Sequence, residues 1–284
     1  LLVPTGSGDS SLVALSPYEK YSGQFKLTWR LNSNMRVSAN VLASQEQFTN
    51  GGQGLFYFPD ARLDQQSRSY SAYLKWTHTL SARTFYEFGV TNNYNGYRQY
   101  LFEDPLDPRY RPGEFFGYRE GTEMSGFAIG GTDNNRFRRS TNTMLAKFDL
   151  TSQVSDANEM KAGLEVRRHD LKLFDEYTVV VKETGERFVD SGGNYHRSPF
   201  EASAYVQDKV ELGGLIINAG VRLDYFDAAG AVLEDFGRPR SSPRRDTEPK
   251  WQVSPRVGLA YPLSERGVVH VAYGHFFQVP PFEY

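Results

Sequence analysis

The 284-residue chain is 39% hydrophobic and 23% charged, with a formal net charge of -2, so bulk electrostatics give no case for a nucleic-acid partner. A mean hydropathy of -0.55, with no apolar run near ~20 residues, excludes a membrane protein built on helices, but not a β-barrel, whose alternating strands average to a polar mean. Cysteine is absent, which excludes disulfides and thiolate metal sites.

Residues 1–20 are rich in Gly, Ser and Pro and read as a loop. Over 21–31, Tyr21, Gly23, Phe25, Leu27, Trp29 and Leu31 alternate with Ser22, Gln24, Lys26, Thr28 and Arg30. After Asn32-Ser33-Asn34, Met35, Val37, Ala39, Val41 and Ala43 alternate with Arg36, Ser38, Asn40 and Ser44. A period of two with unlike faces is a strand signature, and the pair reads as a hairpin.

A Gly/Asn-rich stretch over 48–66 leads to a second hairpin. It carries Tyr70, Ala72, Leu74 and Trp76, then Tyr86, Phe88 and Val90, turned near Ser81-Ala82. A long connection over 101–139 precedes a third, with Met144, Ala146, Phe148 and Leu150 on one strand and Met160, Ala162, Leu164 and Val166 on the next. Connections over 174–198 and 228–253 set off the last two hairpins: 203–212 and 215–227 around Gly213-Gly214, then 255–263 and 268–278 around 264–267.

The expected fold class is therefore all-β, an antiparallel up-and-down transmembrane β-barrel, present as a fragment of about ten strands. Strands of about 10–13 residues match the 9–11 that a tilted strand needs to cross a bilayer, and the connections alternate short and long. Short turns on one side and long loops on the other are the organisation of an outer-membrane barrel. The 14% aromatic content suits its two interfacial girdles. A soluble sandwich or propeller also alternates, but accounts for neither the strand length nor the one-sided loops. The polar face would hold Lys26, Arg30, Lys147, Asp149, Lys161, Glu165, Arg167, Arg222 and Asp224, which implies a water-filled or plugged interior.

G-x-S-x-G, H-E-x-x-H, P-loop and G-x-G-x-x-G motifs are missing, so no enzyme and no cofactor are implied. His78, His169, His196, His270 and His275 are scattered and read as strand or rim residues rather than metal ligands. In the long connection, Phe102, Arg109, Tyr110, Phe115, Phe116, Tyr118 and Arg119, with Arg111 among them, are suited to stack on and hydrogen-bond a substrate above the lumen. The alternative is that they cover the loop's own small core or sit at the lipid interface. Asp133-Asn134-Asn135 reads as a turn or an oxygen-rich calcium site. Arg238, Arg240, Arg244 and Arg245, with Pro239 and Pro243, form a basic loop that either contacts lipopolysaccharide phosphates or an anionic substrate, or is simply solvated.

The stretches AYVQDKVELGGLIINAGVRLDYFD (204–227) and SPRVGLAYPLSERGVVHVAYGHFFQVPPFEY (254–284) resemble the barrel of TonB-dependent receptors, especially the group with a carboxypeptidase-regulatory-like N-terminal domain. The likeness is looser over 147–169. It implies a barrel of about 22 strands in the bacterial outer membrane, filled by an N-terminal plug and driven through a TonB box by the TonB energy-coupling complex. The implied activity is uptake of a nutrient such as a siderophore, glycan or peptide, with outer-membrane lipid and lipopolysaccharide as surroundings. Neither plug nor TonB box lies in these residues. The chain is expected to be a piece of a longer protein, its ten strands an open sheet. A passive porin and a ten-stranded outer-membrane protease are the alternatives.

Overall fold

The computed structural model describes residues 14, 16–49, 62–112, 114–116, 127–238, 242–264, 266–279 and 282. In chain order the strands are β1 (Tyr18–Arg30), β2 (Met35–Thr49), β3 (Asp64–Ser81), β4 (Thr84–Tyr100), β5 (Glu114–Phe116), β6 (Phe127–Gly130), β7 (Asn135–Gln153) and β8 (Asn158–Val180). They continue as β9 (Arg187–Ser191), β10 (Tyr195–Arg197), β11 (Phe200–Leu212), β12 (Leu215–Asp227), β13 (Ala231–Leu233), β14 (Arg244–Asp246), β15 (Lys250–Ser264) and β16 (Gly267–Gly274). Ten of them form one antiparallel meander in the order β1-β2-β3-β4-β7-β8-β11-β12-β15-β16. Two small hairpins, β5-β6 and β13-β14, stand apart from it.

Local chemistry shapes the turns of the five hairpins, which lie at one end of the meander. Asn32 closes the first by accepting from the Asn34 and Met35 amides at 2.9 and 2.8 Å. Gly213 and Gly214 take φ of 52° and 93°, the left-handed pair that a two-residue hairpin turn demands. Short turns thus join β1 to β2, β3 to β4, β7 to β8, β11 to β12 and β15 to β16, and the long connections leave from the opposite end.

Register assigns the faces. Across β3, β4, β7 and β8 the rows Trp76–Phe88–Phe148–Leu164 and Leu74–Val90–Ala146–Val166 are directly paired, so they share one face. That face is bare: Leu74 is 52% exposed and Leu164 59%. Among the described residues the only buried hydrophobic side chains are Tyr100, Tyr110 and Leu171. A sheet with long apolar rows and no second layer is not a sandwich core; it is a wall that needs an apolar solvent.

Aromatic rings edge the bare face at two levels. Tyr86 packs on Phe148 and Trp76 with ring centroids 5.6 and 6.5 Å apart, and eight residues up β4 Tyr94 stacks on Tyr70 at 5.3 Å. Eight residues of tilted strand rise about 20 Å along the membrane normal, close to the apolar band of ~25 Å in outer-membrane barrels.

The strands outrun the expected ones. β7 has 19 residues and β8 has 23, so both project beyond the band. Residues 174–198, expected as a loop, are mostly strand: β11, β10 and β9 pair in succession along one edge of β8, from Asp208↔Met160 through Tyr195↔Leu173 to Arg187↔Val180. The segment is one interrupted hairpin whose turn spans only 181–186, with Gly185 at φ 70°. Above the membrane both faces meet water or loops, so no period-two hydrophobic pattern announces such a strand.

β1 pairs only with β2, and β16 only with β15, among the described residues. The sheet is open, and the closed ten-strand barrel that a ten-stranded protease needs is not formed.

Candidate functional site

The face opposite the apolar rows carries paired charges, one pair across two strands and the others two residues apart on one strand. Lys75 meets Glu87 at 3.0 Å, Lys147 meets Asp149 at 3.1 Å, Arg167 meets Glu165 at 2.6 Å, and Arg222 meets Asp224 at 2.7 Å. The last six are residues expected on the lining, together with Lys161, which pairs with Glu159 at 2.9 Å. Tyr205 lies across Gly163, a position where a Cβ would come within 2.4 Å of its ring, and donates to Asp149 at 2.7 Å. Glycine there is a packing requirement, because the ring occupies the space of a side chain.

Nearer the long-loop end, the charges surround a cavity of about 420 Å3 lined by Glu165, Arg167, His169, Glu201, Arg222 and Asp224 and covered by Phe277, Val279 and Phe282. His169 is buried. Its Nδ1 lies 2.9 Å from the Thr143 hydroxyl and its Nε2 2.9 Å from Glu201. An ionised carboxylate only accepts, so the ring's Nε2 proton faces Glu201. The Phe282 ring sits 4.6 Å from the imidazole. Sequence reasoning placed His169 only as a strand or rim residue; no spacing in the sequence relates it to Glu201, which the β8–β11 register sets opposite Arg167 and so diagonal to His169. Among the described residues no group of three or more His, Asp or Glu is placed to hold a metal ion.

The long connection builds a different structure. Tyr110 is fully buried, its ring edge-on to Phe102 at 5.0 Å. Its hydroxyl accepts from the Phe102 amide at 3.2 Å and from Arg136 Nη1 at 2.8 Å. Arg136, itself buried, also donates to the carbonyls of Phe102 and Glu103 and lies over the Tyr100 ring at 4.8 Å. Arg187 reaches the Tyr110 carbonyl at 3.2 Å and the Pro108 carbonyl at 2.7 Å, while Thr178 donates to the Pro105 carbonyl at 2.8 Å. Arg136 is the residue that sequence reasoning missed; nothing in the run Arg136-Phe137-Arg138-Arg139 singles it out.

Arg136 pairs across to Glu176 on the face of the apolar rows, so residues 101–112 pack on the outward side of the strand extension rather than over the charged face. Phe102 and Tyr110 are the small core of this loop. Arg109 stacks on Phe102 at 4.0 Å and is bidentate to Asp107, with an exposed guanidinium. That pair holds the Asp107 carboxyl down to about 2 through hydrogen bonds from the Arg109 side chain and amide. Phe115 and Phe116 belong to β5, paired with β6. Tyr118 and Arg119 lie outside the described residues.

Asp133 accepts from the Asn135 amide at 3.0 Å, and Asn134 donates to the Thr178 carbonyl at 2.9 Å, so this trio forms a turn anchored on β8. In the basic loop Arg238 lies 3.9 Å from Asp235, Arg244 and Arg245 are exposed on β14, and Arg240 is outside the described residues.

Long antiparallel strands with one bare apolar face, one charged face, two aromatic rims and all short turns at one end define the wall of an outer-membrane β-barrel. The chain belongs to the TonB-dependent receptor-like β-barrel family, whose profile matches residues 3–284. Its place is the bacterial outer membrane, and the family comprises transporters, not enzymes. Solved structures share the fold at low identity. The copper transporter OprC is 14% identical with a TM-score of 0.63, the match covering 94% of this chain and 38% of OprC. The ferric-catecholate import receptor Fiu of E. coli K12, in its closed form, is 14% identical at a TM-score of 0.54, covering 90% and 43%. FpvA of P. aeruginosa, in a pyoverdine–iron complex, is 12% identical at 0.56, covering 90% and 35%. The chain thus spans about two fifths of the length of these structures. No curated protein matches it.

Proposed function

We propose that the chain is part of the wall of a TonB-driven uptake transporter that takes a nutrient such as a siderophore, glycan or peptide across the outer membrane. The observation that carries this reading is the charged face: paired charges of both signs run from β3 to β12 and give a wetted wall to a wide lumen. The open sheet fits it, since a wall meant for about 22 strands takes its remaining neighbours from strands outside these residues. The plug, the TonB box and a carboxypeptidase-regulatory-like N-terminal domain belong to the same proposal, as does coupling to the TonB complex. A metal chelate is one candidate substrate, because relatives of this fold carry copper or ferric catecholates in their names. The long connection contributes to selection: Arg109 and Arg111 offer exposed cations, Phe102 and Tyr110 hold the frame, and the same proposal assigns substrate contact to Phe115, Phe116, Tyr118 and Arg119.

The test uses the complete protein in outer membranes and a panel of labelled chelates, oligosaccharides and peptides. One substrate should accumulate against its gradient, and accumulation should stop when the inner-membrane proton gradient is collapsed. Flux that persists without energy makes the protein a passive porin. Deleting most of 104–133 should abolish high-affinity binding while the barrel stays folded and heat-resistant; binding that survives moves selection elsewhere.

A further inference from the structure

Above the upper aromatic rim, the outward face changes character within two rows. The rim row is Tyr70–Tyr94–Asn142–Asp170; the next is Arg68–Gly96–Ser140–Lys172, and the one above it Gln66–Arg98–Arg138–Phe174. Because these rows are in unbroken register with Leu74–Val90–Ala146–Val166, their side chains stand on the lipid-side face and not on the charged lining. Four cations of these rows, Arg68, Arg98, Arg138 and Lys172, line one recess of about 570 Å3 there, which Arg139 also borders.

The recess is built. Gly96 and Ser140 leave its middle low, and the Tyr94 ring fills the place a Cβ on Gly96 would take, 2.4 Å from the hydroxyl oxygen. Arg98 is held by a hydrogen bond to the Tyr100 hydroxyl at 2.7 Å and Arg138 by stacking on Phe174 at 4.7 Å. Two carboxylates approach: Asp170 pairs with Lys172 at 3.0 Å, and exposed Glu103 lies 3.7 Å from Arg98. Arg68 and Arg138 form no ion pair among the described residues. From β3 to β8 the recess spans three strand spacings, about 14 Å, wider than a single oxyanion requires.

We infer that this recess binds the phosphorylated headgroup of an outer-leaflet glycolipid, with Arg68, Arg138 and Lys172 as the phosphate ligands. The position selects the source: the cations begin one row above the aromatic rim, at headgroup level, and face the lipid rather than the lumen. Guanidinium forks and an ammonium suit phosphate oxygens. The inference rests on the outer-membrane reading, and the experiment separates the two.

Purified complete protein in detergent is titrated with lipopolysaccharide, with enzymatically dephosphorylated lipopolysaccharide and with inorganic phosphate, and retained glycolipid is counted by native mass spectrometry. Intact glycolipid should bind at least tenfold more tightly than the dephosphorylated form, and millimolar inorganic phosphate should not displace it. The combined Arg68→Gln, Arg138→Gln, Lys172→Gln variant should lose that tenfold preference, whereas Arg244→Gln with Arg245→Gln should keep it. Arg138→Gln compared with Arg138→Lys gives the same answer by single changes where the triple variant fails to fold. Equal affinity for the dephosphorylated lipid, an unaltered preference in the variants, or displacement by inorganic phosphate overturns the inference. A wild-type protein that never gives a heat-modifiable barrel in bilayers sinks the outer-membrane reading instead.

Discussion

Arg136 donates from Nη1 to the Tyr110 hydroxyl at 2.8 Å, and both side chains are shut away from solvent. A guanidinium buried among two carbonyls, a phenol and two rings fastens a loop to a strand that carries no hydrophobic pattern of its own. Tyr110→Phe keeps the ring and removes the acceptor. Hydrogen bonds to charged groups contribute about 1.5–3 kcal/mol, so the loop over 101–112 should open more readily by that amount. Limited proteolysis should show faster cleavage there with the strands intact; unchanged protection would mean the carbonyls of Phe102 and Glu103 hold Arg136 unaided.

Arginine at Leu74, Phe148, Val221 or Val271 should impair assembly of the complete protein, because it places a charge in the apolar band at about 2–4 kcal/mol near the midplane. Asn218→Arg and Ala272→Arg fall on the charged face, paired as neighbours of Lys209 and Gly258, and should be milder. The measurement is the fraction of heat-modifiable barrel in outer membranes. Equal losses in both sets would reverse the face assignment.

Gly163→Ala puts a methyl where the Tyr205 ring and the Asp149 carboxylate already lie, 2.4 and 2.8 Å away. The ring must tilt, its hydrogen bond to Asp149 breaks, and the barrel should lose about 1–3 kcal/mol. The unfolding midpoint in denaturant reads this directly. Tyr205→Phe on the Gly163→Ala background should add little, since the bond is already lost.

Asp107 has its carboxyl depressed from 3.8 to about 2 in the folded loop. A depressed acid stabilises above its unfolded value, and that contribution fades as pH falls toward the folded one. The Arg109 pair should therefore be intact at pH 5 and weaken between pH 3.8 and about 2. Protease susceptibility of 101–112 should rise in that window in the wild type; in Asp107→Asn the rise should be absent.

The membrane band was legible because lipid imposes a period of two: Tyr21 to Leu31 and Leu215 to Tyr225 announce their faces residue by residue. The rim was not. Arg68, Arg98, Arg138 and Lys172 sit far apart in sequence, and only the register of four strands gathers them on one face. Likewise the His169–Glu201 contact depends on which residues of β8 and β11 stand opposite. The aromatic richness of the long connection was visible, but whether Phe102 and Tyr110 face a solute or each other is decided by Arg136, a strand residue 26 positions beyond Tyr110.

The hairpin of β8 with β11, β10 and β9 has a mechanical consequence. It rises above the membrane as an interrupted ribbon, flanked by β7 as far as Tyr177, tied to residues 101–112 through Thr178 and Arg187, and stepped at its root where the Pro199 carbonyl receives the His169 amide at 2.9 Å. A ribbon fastened to a strand and a loop shares a push at its tip with both. Touch at 181–186 is therefore expected to reach the loop over 101–112 through Arg187 and Thr178. Since the chain has no native cysteine, a single Thr184→Cys carries a spectroscopic label at the tip, and its mobility should rise in Tyr110→Phe if 181–186 and the loop over 101–112 move together.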